Sequence, residues 1–148
     1  MLVDPNFDAS EPRFRDPLIA FLSVRPGGKP WRRCELHVYR PQDDKVLENR
    51  IYHSNRQLAE VVPTGTTLRL HFWAGKSGGE KLHPRFLLTE LGGIQFDYGL
   101  DAGGGPTDTT IVTLMDQELW QTVRADYTVP SPSFVITPDC IVGIAGQR

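Results

Sequence analysis

The stretch from residue 34 to residue 73 constrains this chain more than any other. "CELHVY" alternates Leu36 and Val38 against Glu35, His37 and Tyr39, the period of a strand with two unlike faces. Asp43 and Asp44 then open a run in which Leu47, Ile51, Leu58 and Val62 recur four, seven and four residues apart, a helical stripe that ends at Pro63. "TTLRLHFW" follows as a second strand. A strand, a helix and a strand in that order normally form a right-handed crossover between parallel neighbours. The chain is therefore expected to build a sheet that is at least partly parallel, with a helix laid on it.

The flanks add elements of a different kind. Residues 1–13 are polar and carry prolines, and read as an N-terminal arm or linker, leaving 14–148 as one domain. In "RDPLIAFLSV" Asp16 is placed to cap a helix, with Pro17 at its first position and Leu18, Ile19 and Leu22 on one side. "RFLLT" and "GIQFDY" read as a hairpin around "ELGG", where Gly92 and Gly93 supply any positive backbone angle the turn needs. "AGGGPTD" reads as a loop and "TTIVTLM" as a strand. Asp116 caps a further helix with Leu119, Trp120, Val123 and Tyr127 inward, and "SFVITPDCIVGIAG" closes the chain with one or two strands. The predicted fold class is α/β: a mixed β-sheet with flanking helices.

Charge and cysteine content narrow the functions open to such a domain. A formal net charge of −2 disfavours nucleic acid as the main partner, because phosphate affinity on a broad scale needs clustered Lys and Arg. The two cysteines, Cys34 and Cys140, sit in apolar strand contexts and read as reduced core thiols of a cytoplasmic protein. No window of eighteen residues is apolar throughout, so no transmembrane segment is expected, and peripheral contact with an acidic lipid surface stays open.

Candidate chemistry gathers at "KLHPRFLLTE". In an extended segment alternate side chains share a face, so His83 and Arg85 project together while Phe86 and Leu88 face the core. Imidazole serves as nucleophile or general acid near neutral pH, and a guanidinium grips two oxygens in its planar fork. The pair suits a phosphate ester. Glu90, five residues beyond Arg85, is placed to orient an imidazole, and Lys76 and Lys81 in "WAGKSGGEK" are placed to reach a ligand from a loop, or to be a solvated connection. His37 and His71 stand at comparable points of neighbouring strands and, with Cys34, invite a metal reading, but their scattered spacing is unlike a zinc framework and no metal or other cofactor is expected. The basic cluster Arg25, Lys29, Arg32 and Arg33 around Trp31 reads as solvated surface in a Gly/Pro turn.

"His83-x-Arg85-x-x-x-x-Glu90" resembles the H-x-K-x-x-x-x-D signature of the phospholipase D superfamily, with both charged partners conservatively replaced. The order of elements over roughly residues 34 to 145 is also similar to a half-domain of that fold. Closer still, His83, Arg85, Gly92 and "GLD" at 99–101 resemble the phospholipase-D-like C-terminal domain of MIT-domain proteins. The resemblance implies a homodimer, since active members need two histidines, one attacking phosphorus and one protonating the leaving group. In such an enzyme His83, Arg85 and Glu90 are the catalytic set, and the activity is that of a phosphodiesterase or nuclease. "FDYGLD" lacks the serine and asparagine that follow the motif in active members. The MIT-associated relatives bind acidic head groups without hydrolysis, so the resemblance points to recognition of a phosphorylated ligand, acidic lipid surface or partner through His83, Arg85, Lys76 and Lys81. A protein-interaction scaffold is the remaining reading.

Overall fold

A computed structural model describes the chain except for residues 25, 26, 28, 30, 32, 80, 81, 83, 98–100, 102–104, 106–108 and 148. The strand–helix–strand unit is present as read: β2 (Arg33–Tyr39), α2 (Asp44–Ala59) and β3 (Thr67–Gly75), with β2 and β3 parallel and in register from Arg33↔Thr67 to Tyr39↔Trp73. Asp43 caps α2 by accepting the Lys45 N–H at 2.8 Å, which satisfies one of the helix's orphan donors.

The first residues differ from the expected arm. Leu2–Val3 form β1, a two-residue strand inserted between β2, to which it is parallel, and the antiparallel β4 (Arg85–Leu88). Leu2, Val3, Asp4, Phe7 and Ala9 are all buried, so the segment is part of the core and not a linker. Helix α1 (Pro12–Ser23) also starts earlier than the predicted Asp16 cap. Pro12 takes the first helical turn and Pro17 lies inside the helix; the earlier start adds Phe14 to the Leu18 and Leu22 stripe and sets its ring 6.1 Å from Phe7.

The hairpin is as read, with β4 antiparallel to β5 (Gly93–Phe96). Its two glycines have different reasons. Gly92 takes φ +154°, whereas at Gly93 an added Cβ would stand 2.7 Å from Leu88 Cδ2 and from Met115 Sδ and 3.0 Å from Trp120 Cδ1, so close packing requires the bare backbone. Next come β6 (Val112–Leu114), α3 (Gln117–Asp126), β7 (Phe134–Val135) and β8 (Ile141–Ala145). Asp116 caps α3 through the Leu119 N–H at 2.8 Å, yet Leu119 itself is exposed rather than inward; Val123 and Tyr127 fill the interface instead.

The result is a mixed eight-stranded sheet in the order β6-β5-β4-β1-β2-β3-β7, with β8 also pairing β3. Strand alternation splits its side chains into two cores. Leu2, Leu36, Val38, Leu68, Leu70 and Phe72 meet α1 and α2 on one face, as two crossovers of the usual hand stepping in one direction require. Val3, Trp73, Phe86 and Leu88 meet Val123 and Tyr127 around α3 on the other. No described helix is long and apolar enough to cross a membrane. Cys34 and Cys140 are buried free thiols.

Candidate functional site

Arg85 opens β4, opposite Phe96 of β5 and beside the C-terminal end of β1. From β1 the chain runs toward β2 and β3, while β4 leads the other way to β5 and β6. Reversals of this kind, at the carboxyl ends of parallel strands, are where α/β sheets leave a crevice for ligands. The Arg85 guanidinium is fixed there from two sides. Its Nη1 donates to the Asp97 carbonyl at 2.6 Å, and its Nε lies 3.5 Å from Oδ1 of Asp4, a carboxylate that is only 1% exposed. A carboxylate so buried needs an opposite charge nearby, and Arg85 provides it. Asp4 Oδ1 also accepts the Asn6 N–H at 3.1 Å. Nη2 of Arg85 has no acceptor among the described residues, and the side chain keeps 22% of its surface in solvent. The guanidinium is thus held by an ion pair at Nε and a hydrogen bond at Nη1, and Nη2 is the nitrogen left for a further acceptor.

The other residues expected to join it are dispersed. His83 and Lys81 lie outside the described residues. Lys76 directly follows β3, which β2 and β1 separate from β4; three strand spacings make that roughly 14 Å. Its ammonium donates to the carbonyls of Ser131, at 3.3 Å, and Pro132, on the side of the sheet edge away from β4. Glu90 stands at the hairpin tip, five residues from Arg85 along an extended strand, or roughly 17 Å. It lines a different cleft, with Trp31, Arg33, Glu35 and Arg124. Neither Lys76 nor Glu90 therefore works on a ligand held by Arg85. Asp97 contributes its backbone carbonyl to the site, and Asp101 pairs with Arg13 at 3.4 Å. Of the basic cluster, Arg25 and Arg32 are outside the described residues, and Arg33 pairs with Glu35 at 3.4 Å.

The residue missed by sequence reasoning is Asp4. Nothing local marks it, because its partner is 81 positions away and its strand has only two residues.

The two strand histidines form a separate cluster. His37 and His71 are direct cross-strand partners, and their rings stack at 4.5 Å and 15°. The Trp73 indole N–H donates to His37 Nδ1 at 2.8 Å, which places the His37 proton on Nε2, 3.8 Å from Glu35 Oε2. Tyr127 meets His37 edge-on. Cys34 projects from the opposite face of β2 into the α1/α2 core, so it cannot share a ligand with the histidines, and the described residues contain no three-group metal cluster. Burial pushes the His37 pKa down, and burial together with the neighbouring His37 lowers His71 to about 4. The His37 Nε2–H, aimed at the Glu35 carboxylate from 3.8 Å, holds that carboxyl down to about 2. The pair is thus neutral at physiological pH and closed to a substrate, a polar core and not a reaction centre.

The chain matches none of the protein-family models, curated proteins or solved structures with which it was compared.

Proposed function

We propose that this is a phosphate-recognition and dimerisation domain of phospholipase-D-like type, which binds a phosphate-bearing ligand at Arg85 without turning it over. The observation that carries the reading is the anchoring of Arg85: a buried carboxylate at Nε and a backbone carbonyl at Nη1 set the guanidinium at the reversal point of the sheet, with Nη2 left for a ligand oxygen. Binding without hydrolysis is favoured because Glu90 and Lys76 stand far from that guanidinium. The missing serine and asparagine after the motif point the same way. By the phospholipase-D-like reading His83, two residues before Arg85 in the sequence, is the candidate for a second contact to the ligand.

Calorimetric titration with inorganic phosphate and with a soluble phosphodiester tests the reading. Arg85→Ala is expected to weaken binding by about 10- to 100-fold, the value of a charge-assisted pair. Arg85→Lys should recover only part of it, because a point charge lacks the fork. Unchanged affinity in Arg85→Ala would overturn the site. Multiple turnover of the diester that His83→Ala abolishes would replace recognition by the homodimeric phosphodiesterase.

A further inference from the structure

Strand β6 closes the sheet on one side, and among the described residues no strand lies beyond it. Its hydrogen bonds to β5 fix which backbone groups are spoken for. The Asp97 N–H donates to the Ile111 carbonyl at 3.3 Å and the Met115 N–H to the Gly93 carbonyl at 2.9 Å. In an antiparallel ladder this pattern turns residues 111, 113 and 115 toward β5 and leaves the N–H and C=O of Val112 and Leu114 pointing out of the sheet. The side chains are equally uncovered: Ile111, Val112 and Leu114 are 68%, 52% and 78% exposed. Natural edges are usually blunted by lysine, proline or a bulge. From Ile111 to Leu114 there is no charge and no proline.

We infer that β6 is the seam at which a second copy of this chain docks, strand to strand and antiparallel, about a twofold axis through Thr113. The inference rests on the dimer in the proposed function and specifies its surface. A second copy is favoured over an unrelated strand because the edge is complementary to itself. Centred on Thr113, the pairing sets Val112 opposite Leu114 of the other copy, and these are the two residues whose backbone groups face outward. Val112 and Leu114 share a face, so the pairing also joins their apolar side chains.

The uncovered side chains lie along the same edge. Ile111, Val112 and Leu114 together expose on the order of 400 Å², within the range of the largest apolar patch of a monomer. The assembly has a functional consequence. The two Arg85 guanidinium groups would stand on the same face of one continuous sheet, separated by five strand spacings, or roughly 24 Å. That arrangement offers two separate anion sites and no shared one, so it fits bivalent recognition of a surface or polymer that repeats its phosphates.

Two variants of the full chain test the seam. Thr113→Cys places the two thiols at a non-hydrogen-bonded pair, where Cα atoms are about 4.5 Å apart and within disulfide range. Mild oxidation is expected to convert it to a covalent dimer, while wild type, with Cys34 and Cys140 buried, does not cross-link. Val112→Pro removes an outward N–H and leaves the β5 ladder intact, and by sedimentation should raise the dimer dissociation constant at least about tenfold. A wild type that is monomeric throughout a concentration series, a Val112→Pro that stays dimeric, or a Thr113→Cys that does not cross-link would overturn the seam. Titration of inorganic phosphate on Val112→Pro separates the two proposals: per-site affinity equal to wild type shows Arg85 binding to be independent of the seam, and its loss in Arg85→Ala alone identifies failure at the other locus.

Discussion

The two halves of the sheet are finished differently. Strands β1, β2 and β3 are packed on one face by α1 and α2 and sit against the His37, His71 and Trp73 stack on the other, so that Leu36, Leu68 and Leu70 are at most 1% exposed. Strand β4 still sends Leu87 against the α1/α2 core, but Val112 and Leu114 of β6 stand in solvent on the face they share with Ile94 and Phe96. Hydrophobic burial near the middle of the sheet is thus complete within one molecule, whereas the wing keeps apolar surface that a monomer gains nothing by exposing. The first half supplies stability, and the second is the surface to which the proposed contact is assigned.

That contrast has a direct test with the largest effect. Leu70→Ala, in the covered half, should lower the unfolding free energy by about 2–5 kcal/mol, whereas Leu114→Ala on the wing should change that of a single copy by less than about 0.5 kcal/mol. Urea denaturation at concentrations below dimerisation measures both, and comparable losses would erase the distinction. A second effect belongs to the covered half alone. The folded-state pKa of His71 is depressed to about 4 from 6.5, so the unfolded chain binds the extra proton between these values. Stability is therefore full above about pH 6.5 and declines as pH falls toward 4, by on the order of 2–3 kcal/mol. The Glu35 contribution, present above pH 4.5, is lost as pH falls further toward 2. His71→Phe keeps a ring in the stack and should flatten the slope between pH 6.5 and 4; an undiminished slope would place its origin elsewhere. The smallest effect compares the caps. Asp43→Ala on α2 and Asp116→Ala on α3 should each cost about 1 kcal/mol, and hydrogen exchange should confine the second loss to the wing.

Local signals made much of the fold legible. The caps Asp43 and Asp116, the stripe through Leu47, Ile51 and Leu58, and the glycines of the hairpin each act within a few residues, and each element they mark is present. Strand β1 carries no such signal, because two residues have no period and its partners lie at Leu36 and Leu87. The Asp4 contact to Arg85 was hidden for the same reason: it exists only because β1 enters the sheet. Conversely, spacing along "RFLLTE" suggested that Arg85 and Glu90 act together, but a strand of that length carries them to opposite ends of the sheet. Sequence proximity is not spatial proximity along an extended chain.

The place of β1 also sets the loops that the chain must close. The β2–α2–β3 unit closes over fewer than forty residues and the β4–β5 hairpin over a dozen, so both can form from nearby chain. Leu2 and Val3 must then be gathered between them, closing one loop of about thirty residues and another of more than eighty. Without this short segment β2 and β4 would each present a raw strand edge; with it, the two halves are one continuous sheet.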